Sequence, residues 1–169
     1  AYKQGYLVKE SQIKTLASLY SQNDAPYKAA TLLEKHIDSG LVTRDDTNIS
    51  ILANAWHASL HISKAAGYYG ELAKMTNDAA YYRKQGMLLK QDEQFKPAIT
   101  ALKKALALGI KGEGKINMSL AECYFYLGKY KAAYVAIQKA MKDPKSRKTA
   151  RSWKNFIKDT AKRKKVSVI

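Results

Sequence analysis

Residues 114–141 read GKINMSLAECYFYLGKYKAAYVAIQKAM. Leu120, Ala121, Tyr124 and Leu127 share one helical face, Tyr130, Ala133, Ile137 and Ala140 share another, and Gly128 stands between the two runs. Steps of three and four residues are the mark of amphipathic helices, so the stretch predicts a helical hairpin with Gly128 at its corner.

Three earlier stretches repeat this design. In the first, Ile13, Leu16, Ala17 and Tyr20 form one stripe and Ala29, Leu33 and Ile37 the next; Pro26 opens the second helix, Asp24 is its expected cap, and Gly40 its stop. The second carries Ile49, Leu52, Ala53 and Trp56, then Ala65, Tyr69 and Leu72, with Ser63 as the expected cap. The third carries Tyr82, Gly86 and Leu89, then Phe95, Ala98, Leu102 and Ala105. Ala29, Ala65, Ala98 and Ala133 follow one another at 36, 33 and 35 residues. One helix-turn-helix per period of roughly 34 residues predicts an all-α solenoid, because each unit buries its apolar flank only against a neighbour. The expected hairpins span 10–40, 46–75, 79–109 and 114–142.

From Asp143 the pattern changes. Pro144 ends the preceding helix, Ser146 is placed to cap a new one, and Ala150, Trp153, Phe156, Ile157 and Ala161 trace one apolar stripe. Residues 143–165 are therefore expected to cap the array, with 166–169 as a disordered tail. Residues 1–9 read as a lead-in from a longer protein, since the chain begins at Ala1 and shows no charged-then-apolar leader.

The 169 residues are 46% hydrophobic with 3 Pro and 9 Gly, a composition that builds a core and is not that of a disordered chain. No run of about 18 apolar residues is present. Cys123, the single cysteine, reads as a small buried filler rather than a reactive thiol. Thirty basic residues against fourteen acidic give a net charge of +16, and eleven of the basic ones lie between Lys142 and Lys165 against Asp143 and Asp159. That asymmetry points to an anionic surface or partner at the C-terminal end.

The order aromatic, Leu-Gly, Tyr, Ala, Phe of the tetratricopeptide pattern is matched in the fourth unit by Leu120-Ala121, Tyr124, Ala133 and Ile137. The four units resemble tetratricopeptide repeats across about residues 10–142. More narrowly, NDAPYKAATLLEKHI (23–37) and DPKSRKTARSWKNFI (143–157) are similar to segments of the periplasmic tetratricopeptide proteins that accompany TonB-ExbB-ExbD systems in Gram-negative bacteria. This resemblance implies a periplasmic or cell-envelope location, a supporting role in energised uptake of iron complexes, and a TonB-system component as partner. Chaperone-binding members of the family clamp a peptide's carboxylate with two Lys, one Arg and two Asn. This chain keeps Lys14 but has Ser18 and Ile51 for Asn, Ala80 for Lys and Lys84 for Arg, so a chaperone tail is not the expected ligand.

In such a fold the first helix of each hairpin lines a concave groove. The register assigns to it Lys14, Ser18 and Ser21; Asn54 and His57; Arg83, Met87 and Lys90; and Lys115, Met118, Glu122, Phe125 and Tyr126. Basic in the middle and aromatic with Met toward the C-terminal end, this wall suits a peptide with acidic and apolar anchors. The bland reading makes it a solvated helix face, with Phe125 and Tyr126 covered by the terminal helix. The expected function is thus a non-enzymatic scaffold for a protein partner.

The cap, with Lys148, Arg151, Lys154, Lys158 and Lys162, supports an alternative. A solvated lid is the commonest reading of such a face, an anionic membrane surface the next and nucleic acid the last. His57 and His61 are spaced like metal ligands, but Ala58 stands where a zinc protease carries Glu and no third ligand is near, so neither a metal nor a cofactor is expected. Spacing assembles no Ser, His and Asp set and sets no oligomeric state.

Overall fold

In a computed structural model that describes residues 9–168, nine helices and no strand form among the described residues. They are α1 (Glu10–Gln22), α2 (Pro26–Asp38), α3 (Asp46–Ala58), α4 (Ile62–Thr76), α5 (Ala79–Gln91), α6 (Phe95–Ala107), α7 (Glu113–Tyr126), α8 (Tyr130–Ala140) and α9 (Arg147–Arg163). The chain divides into two units, Ala1–Asn77 with α1 to α4 and Asp78–Ile169 with α5 to α9. Of the expected lead-in, only Lys9 lies within the described residues, as the N-cap of α1. Residues 166–168 carry no regular structure, and Ile169 lies outside the described residues.

One turn closes all four hairpins. Asp24, Leu60, Glu93 and Gly128 each adopt a left-handed backbone, with φ of 51°, 61°, 56° and 70°. The next residue then donates its N–H to the carbonyl five positions back: Ala25 to Tyr20 at 2.9 Å, His61 to Trp56 at 3.0 Å, Gln94 to Leu89 at 2.8 Å and Lys129 to Tyr124 at 2.8 Å. That bond satisfies a carbonyl left open at the helix end, the Schellman solution. The donor residue is at once the N-cap of the following helix, so Ala25, His61, Gln94 and Lys129 hold that position and none makes a side-chain cap bond. Asp24 and Ser63 are therefore not caps as expected: Asp24 is the left-handed residue itself, and Ser63 lies inside α4. Side-chain capping appears between hairpins instead, where Asp45 accepts from Asn48 N–H and Asp78 from Ala80 N–H, both at 2.7 Å.

In the first unit Ile13, Leu33, Ile49, Leu52, Trp56 and Leu72 are fully buried around Ala17, Ala29, Ala53 and Ala65. In the second, Leu102, Ile116, Ile137 and Ile157 are buried around Ala98, Ala121 and Ala133. Short side chains at these positions let neighbouring helices approach closely. Gly86 shows it directly: a Cβ there would lie 2.6 Å from Leu102 Cγ and 3.2 Å from the Ala98 carbonyl oxygen, both on α6. Gly67 on α4 is the opposite case, exposed and with nothing within 4 Å of a Cβ. Gly67→Ala is thus expected to stabilise by roughly 0.5–1 kcal/mol through helix propensity, and a fall in the thermal midpoint would refute the open packing.

The last helix, α9, buries Ala150, Ile157 and Ala161, and its Trp153 and Phe156 pack edge-on and tilted against Phe125 of α7 at 5.9 and 5.0 Å. Ser146 is its N-cap, but the hydroxyl donates to Asp143 Oδ2 at 2.9 Å and makes no cap bond.

Candidate functional site

The predicted groove residues fall in both units, and each unit has its own geometry. In the first, Lys14 pairs with Glu10 at 3.7 Å. Glu10 also accepts from Thr43 Oγ1 at 3.0 Å and from Asn48 Nδ2 at 3.1 Å. The Thr43 bond is the main reason its carboxyl titrates below the ordinary range, partial burial opposing it. Ser18 accepts from Gln22 Nε2 at 3.4 Å, and Ser21 donates to the Ala17 carbonyl at 3.1 Å. Asn54 and His57, one turn apart on α3, converge on Tyr69 of α4: its hydroxyl donates to Asn54 Oδ1 at 2.5 Å, and the His57 ring stands edge-on to it at 6.5 Å. These side chains are turned to their own hairpin.

His61 goes elsewhere. Its ring rests 5.1 Å from both Tyr27 and Trp56, and Nδ1 donates to the Ser59 carbonyl at 2.8 Å. His57 and His61 therefore serve different neighbours. Among the described residues no group of three or more His, Cys, Asp or Glu side chains converges.

The second unit presents a different face. Ser119 Oγ donates to Met87 Sδ at 3.2 Å, and Lys90 Nζ donates to Glu122 Oε2. Both links join α5 to α7 with the same offset of 32 residues, so the two helices run side by side in one direction. That register sets Arg83 level with Lys115, and Met87 within one residue of Met118. Arg83 and Lys115 are exposed, Met87 and Met118 half-buried. At the far end Tyr126 is 63% exposed, its ring stacked on Phe95 at 5.1 Å with an interplanar angle of 14°.

Three predicted residues change role in this setting. Phe125 is half-buried beneath Trp153 and Phe156 of α9 and touches Tyr130 as well, so it joins the cap to the last hairpin instead of standing open beside Tyr126. Lys90 and Glu122 neutralise each other across the two helices. The terminal helix covers Phe125 and leaves Tyr126 open.

On α9, Lys154 is half-buried with Nζ over the Tyr134 ring at 5.6 Å, while Lys148, Arg151, Lys158 and Lys162 are exposed. Cys123 is buried, and burial pushes its thiol up to about 11, so it stays protonated and unreactive at neutral pH. A cavity of about 540 Å³ lies among Gly112, Glu113, Asn117, Lys139 and Asp143; no predicted site residue lines it. No helix among the described residues is long and apolar enough to cross a membrane.

Sequence reasoning missed Phe95, which supports the Tyr126 ring, and Ser119, which links α7 to Met87. Phe95 opens a second helix, and no periodicity in its own hairpin points to the next one.

No family model and no curated protein matches the sequence. Solved structures do match its fold. MamA of AMB-1 aligns with a TM-score of 0.67 at 20% identity, over 83% of this chain and 77% of that one. MamA, residues 41 to the end, from Desulfovibrio magneticus RS-1 aligns with a TM-score of 0.62 at 15% identity, over 89% and 93%. Nearly identical TPR-like repeats from a Podosopora anserina protein assigned as a kinesin light chain align with 0.61 at 15% identity, over 92% and 88%. The fold is that of tetratricopeptide-type helical repeats.

Proposed function

We propose that the chain is a non-enzymatic scaffold that binds a protein partner on the α5–α7 face of its second unit. The observation that carries this reading is Tyr126, an aromatic ring 63% exposed and held in place by stacking on Phe95, at the end of a face that also offers Met87 and Met118. Eleven residues separate the level of Lys115 from Tyr126 on α7, about 16 Å of helix. An extended segment of roughly five residues covers that distance. The fitting segment places a carboxylate between Arg83 and Lys115, apolar side chains over the two methionines, and a large apolar group against Tyr126. The ring and the neighbouring helices are already fixed, so the partner bears most of the ordering cost on binding.

The likeness of residues 23–37 and 143–157 to periplasmic proteins of TonB-type systems supports a further step. The partner is then an envelope component of such a system, the location periplasmic, and the task a supporting one in iron-complex uptake. Capture of purified soluble domains of TonB and ExbD by the full chain tests this. Arg83→Glu with Tyr126→Ala is expected to weaken capture at least about 30-fold, as loss of a central anchor does, while the melting temperature stays nearly unchanged because both side chains are exposed. Undiminished capture moves the site elsewhere, and no capture by the unaltered chain removes the TonB assignment.

The anionic-surface alternative is favoured by a separate observation, the exposed cations of α9, and concerns a different face.

A further inference from the structure

We infer that the second unit carries another interaction surface, on α8 and α9, which docks onto the anionic headgroups of a phospholipid membrane. The argument begins with where the charge lies. Residues 1–77 hold eight basic and seven acidic side chains, whereas residues 78–169 hold 22 basic and seven acidic. The first unit matches its charges internally: Lys14 with Glu10, Arg44 with Asp38 and Glu71, Lys64 with Glu34. In the second unit Lys90 pairs with Glu122. Nearly all the net charge of the protein therefore lies on the second unit.

It is also concentrated on neighbouring helices. α8 contains no acidic residue, and Lys131, Val135 and Lys139 recur along its exposed side. α9 packs beside it, joined by Lys154 over the Tyr134 ring. Arg147, Arg151, Lys158 and Lys162 stand at i, i+4, i+11 and i+15, a single flank of α9, with Lys148 next to them. Its buried residues, Ala150, Ile157 and Ala161, fall roughly a quarter of the helix circumference away from that flank. Asp159 is the only acid on the helix.

One observation selects lipid over nucleic acid. Apolar side chains are left open among the cations: Val135, 46% exposed, stands between Lys131 and Lys139 on α8, and Val166 is exposed just past Lys164 and Lys165. Apolar groups flush with a basic face enter the boundary between headgroups and acyl chains. Since α9 is already anchored to α7 and α8, the contact is peripheral and needs no refolding.

The full chain mixed with vesicles of equal parts phosphatidylglycerol and phosphatidylethanolamine, or of phosphatidylcholine alone, tests the inference by co-sedimentation. Binding to the anionic vesicles only, with release at high salt, is expected. Replacing Lys148, Arg151, Lys158 and Lys162 together by Gln is expected to reduce partitioning on the order of 10²–10³-fold, about fivefold per charge. Exchanging the three lysines of that set for Arg keeps the charge and is expected to keep binding, which separates a charge effect from damage to the helix. Equal binding to phosphatidylcholine, or retention by the Gln variant, overturns the inference. So does preference for a random single-stranded oligonucleotide over the vesicles, which assigns the face to nucleic acid. The Arg83→Glu/Tyr126→Ala chain is expected to bind vesicles normally, so this surface and the protein-binding face fail independently.

Discussion

Replacing Trp56 by alanine is expected to cost the first unit about 3–5 kcal/mol, the usual penalty for emptying a large buried aromatic site. The indole is fully buried, with Tyr27 edge-on at 5.7 Å and Lys64 Nζ 4.0 Å above it. Lys64 in turn pairs with Glu34 at 2.8 Å, and Glu34 accepts from the Tyr68 hydroxyl at 2.8 Å, so removing the ring loosens a chain of contacts from α3 to α2 and α4. A unit of 77 residues has a total stability of only about 4–12 kcal/mol, and the substitution removes a large share of it. Trp56→Phe is expected to be far milder, roughly 1–2 kcal/mol. It keeps most of the aromatic volume and deletes an indole N–H that is buried without a hydrogen-bond partner among the described residues. Urea unfolding followed by circular dichroism reads the difference. In Trp56→Ala the remaining tryptophan fluorescence comes from Trp153 in the second unit. A loss below about 1 kcal/mol for Trp56→Ala would contradict this packing.

The second large effect lies at Gly86. Gly86→Val is expected to destabilise the second unit by about 3 kcal/mol through overpacking. The new Cβ would stand 2.6 Å from Leu102 Cγ and 2.8 Å from its Cδ2. Leu102 is fully buried and cannot swing aside, and the Ala98 carbonyl behind it is backbone. The gain in helix propensity that alanine brings at exposed Gly67 cannot offset such contacts, so glycine replacement has opposite signs on α4 and α5. Adding Leu102→Ala should relieve the clash, and the double variant should lose less than the two single losses together. Strict additivity would place the collision elsewhere.

The helical repeats were legible because burial follows the helical period. Ile13, Ala17, Leu52, Trp56, Leu102 and Ile137 lie on stripes that three- and four-residue spacing marks, and all are buried. Turn chemistry misled at Asp24 and Ser63. Their residue types favour capping, but the shared turn places the N-cap immediately after its left-handed residue whatever side chain is there. The site was harder to read. Register tells which face a side chain is on, yet the cover over Phe125 depends on the approach of α9, and the Lys90–Glu122 pair on the α5–α7 offset. Both are tertiary distances, and no local spacing encodes them.

The four hairpin tips share one backbone path but carry Asp24, Leu60, Glu93 and Gly128, and the leucine there is 78% exposed. Only glycine occupies that conformation without steric penalty, yet main-chain bonds hold the path in every copy. Tip identity thus alters the stability of the turn but not its path. Acidic, aliphatic or no side chain stands at the same backbone position from corner to corner, while the helices beneath keep their architecture.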